Sequence, residues 1–280
     1  MTAVPATTVV VPDLEREVRA ALGGVVDPEL DEPITDLGFV RSIRVDGADV
    51  EVHLRLPTSF CAPNFAYLMA ADAQDAVAAV PGVASVVVEL DDHSDSEIIN
   101  RGLAAAAGYR GTFGHEAEES LDELRATFRR KAHTAAMERC LTGLLRADTD
   151  RPLESLGAVT LGELPPDRHR EALRRRRTAL GLPDSPDALV MVDHTGRGHP
   201  PEEVPLALRR ARSTRFTNDG NAHFCRGLLR TRYPGSEADQ AARPEGAEPA
   251  DAGGDTGYER AFVPLASLTI APSPTEEHAP

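Results

Sequence analysis

The chain has 280 residues, room for one large domain or two ordinary ones, and 41% of them are apolar, enough for a packed core. Its few aromatic residues (Phe 8, Tyr 4, Trp 0) argue against a base-stacking platform, and a net charge of −15 argues against a general phosphate binder, so nucleic acid is not an expected partner. No apolar run reaches the roughly 18 residues that span a bilayer. Met1 to Asp13 carries no Lys or Arg and does not read as a secretory signal. Three cysteines are too few for a disulfide framework, so a cytoplasmic protein with reduced thiols is expected.

Charge divides the chain into three. Net charge is −9 over residues 1–90, +1 over 91–233 and −7 over 234–280. The corresponding expectation is a flexible lead (1–12), an α+β domain (13–92), a linker with one helical turn near Ser96 to Ala107 (93–115), a mainly helical region with one short strand (116–233) and a disordered acidic tail (234–280).

Residues 13–23 place Leu14, Val18, Ala21 and Leu22 at the spacing of an amphipathic helix, with Asp13 as cap and Gly23 as stop. Val25 to Asp36 reads as a loop. Residues 39–45 and 50–56 alternate apolar and polar around Asp46-Gly47, which predicts an antiparallel hairpin with one buried face. Residues 64–80 read as a helix that Pro81-Gly82 ends, and 83–90 as a valine-rich third strand. The fold class is therefore α+β, α-β-β-α-β with a three-stranded mixed sheet, its last two strands joined by a crossover helix expected to be right-handed.

Residues 116–147 contain no Pro and carry a broad apolar stripe, a long helix. An Arg-rich helix is expected over 166–180, a buried strand over 188–193, and two short helices over 201–212 and 220–231. Ala261 to Ile270 is an apolar stretch within the tail.

Chemistry points first to Leu56-Pro-Thr-Ser-Phe-Cys61-Ala-Pro-Asn64, where a strand gives way to a helix around one thiol. Helix N-termini carry unpaired N–H groups and partial positive charge, which favour a thiolate, the form that attacks electrophiles and binds metals. Thr58 and Ser59 can hydrogen-bond there and cap the helix. The plainer reading is that Cys61 is a small buried apolar side chain.

Residues 13–90 resemble the small iron–sulfur-assembly domain of the SufT and PaaD type. Asp27-Pro-Glu29-Leu30, Leu37-Gly-Phe-Val40, Thr58 with Cys61, and Pro81-Gly-Val83 carry the resemblance. It implies a part in delivering iron–sulfur clusters to an apo-metalloprotein client, an oxygenase component among the possibilities, alongside other assembly proteins. The family's reactive cysteine corresponds to Cys61 and its acidic loop to Asp27 and Glu29. Family members usually have Pro directly after the cysteine; here Ala62 intervenes and Pro63 follows. Because clusters commonly take four ligands, mostly Cys, the single cysteine of this domain favours transient ligation, shared across a homodimer or with a client.

Asp193, His194, His199 and Cys225 form a conceivable second metal set, although no recognised ligand spacing supports it. Cys140 lies on the apolar stripe and reads as core. Arg174 to Arg177 reads as a solvated helix face, and Gly102 to Gly114 lacks a phosphate-loop signature. Catalytic turnover is not expected. Two rival readings are a cysteine-dependent hydrolase or transferase using Cys61 with His53 or His93 as base, and a protein-interaction scaffold in which no cysteine matters.

Overall fold

A computed structural model describes residues 11–114 and 121–241, all within one compact unit. The lead up to residue 10 and the tail from 242, with its Ala261 to Ile270 stretch, lie outside the described residues.

Helix α1 (Val11–Leu22) buries Leu14, Val18 and Leu22 on one face, as their spacing requires. Asp13 lies inside the helix rather than at its cap. At the other end, the Gly23 N–H reaches the Arg19 carbonyl at 3.1 Å. The segment expected to be a plain loop contains a miniature antiparallel ribbon, β1 (Val26–Asp27) against β2 (Glu32–Pro33). Asp27 organises it: its Oδ1 accepts the N–H groups of Glu29 and Leu30, both at 2.9 Å.

The main sheet runs β3-β4-β5. Strands β3 (Val40–Asp46) and β4 (Asp49–Arg55) form the expected antiparallel hairpin, closed by a two-residue turn in which Gly47 has φ 62°. Val50, Val52 and Leu54 alternate into the core. Helix α2 (Pro63–Ala78) crosses over and returns the chain as β5 (Ser85–Asp91), parallel to β4 from Asp49↔Ser85 to Arg55↔Asp91. This is the α+β arrangement that the alternation implies, with β4 in the centre and the strand-to-helix turn at its C-terminal end.

Of the expected linker, the described residues 93–114 are more structured than a linker. They hold α3 (Ser96–Ala104) and α4 (Gly108–Phe113). Ile99 and Leu103 are buried in the same core, and the Tyr67 ring lies 5.4 Å from Tyr109 and 5.8 Å from Phe113.

The C-terminal region is built on α5 (Leu121–Ala147), α6 (Arg168–Ala179) and α7 (Val204–Arg232). Met137, Leu141, Leu173 and Leu208 form its own core. Asp167 caps α6, its carboxylate accepting the N–H groups of His169 and Arg170 at 3.0 Å. Residues 188–193 are not a strand. Val190, Met191 and Val192 are buried as expected, but only the single bridges Thr160↔Leu189 and Val192↔Gly198 form, because the neighbours are helices and turns rather than a sheet edge.

The two short helices expected over 201–212 and 220–231 are one continuous α7. Its Ser-, Thr- and Asn-rich middle lowers helix propensity, but tertiary contacts carry the helix through it: Arg212 and Arg215 pair with Glu138, Asp219 with Arg139, and Ala211, Asn218 and Ala222 are buried. Beyond α7, Ser236–Asp239 make a short 3-10 turn against the domain, although the acidic tail was expected to begin at 234.

Candidate cysteine site

Helix α2 begins at Pro63 with Ala62 as its N-cap, so Cys61 lies one residue outside the helix. No side chain caps it, contrary to the capping expected of Thr58 and Ser59. Thr58 instead folds the preceding turn: its Oγ1 accepts the Phe60 N–H at 3.1 Å and lies 3.5 Å from Cys61 Sγ. Cys61 is half-buried, whereas Phe60 beside it is 85% exposed.

A second loop fixes this turn. Ser59's carbonyl accepts the Ser94 N–H at 3.0 Å and the Ser94 hydroxyl at 2.6 Å. The buried His93 places Nε2 2.8 Å from the Cys61 carbonyl, while its Nδ1 accepts the Asp95 N–H at 3.1 Å. That acceptor role puts the ring proton on Nε2, which donates to Cys61's backbone and not to its sulfur. The other candidate base, His53, lies on the sheet with Nδ1 2.9 Å from Asp91 and Nε2 3.0 Å from Glu51.

The acidic loop is gripped by the C-terminal helices. Asp31 pairs with Arg176 of α6, whose Nε is 2.7 Å away. Glu29 Oε1 accepts the Asn221 side-chain amide at 3.0 Å, and Glu32 pairs with Arg226, both from α7. Arg226 also donates to the Asp36 carbonyl at 3.0 Å, and Arg232 to Leu56, the last residue before the cysteine turn, at 3.2 Å. Ala222 and Leu229 enter the N-terminal core itself. Arg174, paired with Asp184, and Arg175 are exposed as a solvated face requires, whereas Arg176 turns to Asp31 and Arg177 is buried, donating to the carbonyls of Pro183 and Leu189.

This grip brings Cys225 to the site. It follows Asn221 by one helical turn, packs against the same core as Cys61, and lies within electrostatic reach of Asp27, Cys61 and Glu29. Burial first, then those negative neighbours, push its thiol up to about 12. Burial likewise pushes Asp27 up to about 7; its two backbone donors pull it down and Glu29 and Glu32 push it further up.

Cys225 does not join Asp193, His194 and His199. The Asp193 carboxylate accepts from the backbone and hydroxyl of Thr195 and from the Arg197 N–H, holding a turn, and His199 faces Glu203 at 3.7 Å. Among the described residues, no three His, Cys, Asp or Glu side chains converge as a ready-made metal site. Cys140 is core, as its place on the apolar stripe implies. A cleft of about 870 Å³ borders the acidic loop on the side of α2, α5 and α6, lined by Asp27, Asp31, Phe128, Arg129 and Arg176 among others.

Residues 15–90 match the family model described as iron–sulfur cluster assembly protein. This segment is an iron–sulfur cluster assembly domain. Curated relatives include the iron–sulfur cluster carrier proteins of Mycobacterium bovis and Mycobacterium tuberculosis, each 41% identical over 85 residues, and of Mycobacterium leprae, 40% identical over 86. The matched stretch is 30% of this chain and spans only 22% of the length of those relatives. No solved structure gives a significant match.

Proposed function

We propose that the protein is an accessory factor in iron–sulfur cluster assembly or metalloprotein maturation, which takes a cluster on Cys61 and passes it to an apo-metalloprotein client. An oxygenase component is the client class implied by the PaaD-like resemblance. The observation that carries this reading is the half-exposed Cys61 thiol on a turn pinned by Thr58 and His93, within a domain matched to the assembly family.

Transfer on this reading is ligand exchange. The Cys61 sulfur forms a bond to iron as the donor's thiolate leaves with the cysteine proton, and the client's thiol later displaces Cys61 in the same way. Thr58 Oγ1 is placed to donate to the thiolate between these steps. The exposed Phe60 offers an apolar contact beside the reacting sulfur. A Cys61-dependent catalyst is less well supported, because both candidate histidines direct their ring nitrogens to other groups.

The test is Cys61→Ser in cells lacking the wild-type gene. The variant is expected to accumulate and fold normally while the client's iron content and activity fall to the level of the gene deletion. Full client activity in those cells would overturn the reading.

A further inference from the structure

The assembly domain offers one cysteine, yet the C-terminal helices bring a second to it. We infer that Cys225 is a second iron ligand, so that α7 completes with Cys61 a two-thiol half-site for a cluster. This inference rests on the reading of Cys61 above and extends it to the region beyond the family match.

The placement stands on geometry. Asn221 anchors α7 to Glu29, and Arg226 anchors it to Glu32. Leu229 fills the space above Gly38, where an added Cβ would meet its Cδ2 at 3.3 Å. Arg232 fixes the next turn to Leu56. Cys225 lies between these anchors, on the stretch of helix laid along the acidic loop and the cysteine turn. Cys61 and Cys225 are both half-buried, neither is bridged, and both pack against the same core.

Each cysteine is directly preceded by an exposed aromatic residue: Phe60 is 85% exposed and Phe224 is 66% exposed. Large apolar side chains in the open beside two thiols suit a site that a second protein covers. Two thiols cannot close a four-ligand cluster, so the remaining iron positions stay open for a donor's or client's sulfur. An open half-site holds the cluster while leaving iron positions for an incoming thiolate, whereas a closed one leaves none. Loading proceeds without redox change: each cysteine sulfur forms one Fe–S bond, and each displaced thiolate leaves as a free thiol with the cysteine's proton.

The test uses the full chain and a preformed four-iron, four-sulfide cluster carrying four 2-mercaptoethanol thiolates, mixed anaerobically and desalted. Iron and visible absorption retained by the protein are measured for wild type, Cys61→Ser, Cys225→Ser and Cys140→Ser, with circular dichroism to verify folding. Wild type and Cys140→Ser are expected to retain the cluster, and the Cys61 and Cys225 variants to lose it. Retention by Cys225→Ser with loss in Cys61→Ser would overturn this inference and leave the Cys61 reading intact. Failure of wild type to retain any cluster would overturn both. The unsubstituted chain provides a further check by maleimide labelling before and after loading. Protection of both Cys61 and Cys225 is expected, and equal labelling of Cys225 in the two states overturns the proposal.

Discussion

The two halves of the described chain are stabilised differently. The assembly domain is stabilised mainly by aliphatic burial: Val18, Ile34, Val52 and Leu54 are almost entirely enclosed, and its central strand alternates by the rule of two. The helical region encloses charged groups more completely than the assembly domain does, where Asp27, Glu32 and Arg55 keep a small exposure. Glu138 is fully enclosed, with Arg212 Nε at 3.1 Å, Arg215 alongside and the Thr142 hydroxyl at 2.6 Å. Arg177 and His133 are also enclosed. The difference shows why one half is compact on local pattern while the other depends on side chains meeting across long sequence separations.

Substitutions can break this contrast. The largest effect is expected from Glu138→Ala, which removes the enclosed carboxylate that Arg212 and Arg215 share and leaves Arg215 with Asp219 alone. Removing one partner of a buried pair costs about 3–5 kcal/mol, to be read by urea unfolding. Leu229→Ala is expected to cost about 2–5 kcal/mol as a cavity in the assembly core. It should also speed maleimide labelling of Cys225 by loosening α7; unchanged labelling would show that α7 is held by its polar anchors alone.

The halves should also differ in the sign of their response to pH. Burial, with Arg177 and Arg176 nearby, lowers His133 to about 4. The unfolded chain therefore takes up that proton from about pH 6.5 downward while the folded chain does not, so stability falls between about pH 6.5 and 4. Asp27 acts oppositely. Its folded value near 7 lies above the ordinary 3.8, so the folded chain takes up the proton first and its contribution to stability grows as pH falls from 7 towards 3.8. Unfolding midpoints measured across this range should lose the first slope in His133→Leu and the second in Asp27→Asn. The smallest effect is expected from Asn221→Ala, about 1 kcal/mol for one hydrogen bond, seen as faster amide exchange in the ribbon Val26–Pro33.

Much of the assembly domain was legible in sequence because its contacts are short-range or strictly alternating. Leu14, Val18 and Leu22 marked α1, Asp46-Gly47 marked the hairpin, and Pro81-Gly82 marked the end of the crossover. Thr58 and Cys61 were readable as one turn because they are three residues apart. Cys225 was not placed correctly, because its partners Asp27, Glu29 and Cys61 come from the other end of the chain and only the docking of α7 joins them. The apolar run 188–193 is equally consistent with a strand or an irregular buried segment, and periodicity alone cannot separate these. The polar middle of α7 resembled a break because its compensating arginine contacts with Glu138 and Asp219 do not follow the apolar period.

Delivery itself is tested most directly by mixing cluster-loaded protein with an apo-ferredoxin in the presence of an iron chelator and following circular dichroism of the holo-ferredoxin. The proposed delivery role predicts chelator-resistant transfer from the wild-type chain, faster than from free iron and sulfide, and none from Cys61→Ser. Equal transfer by the two proteins, or transfer abolished by the chelator, would contradict it.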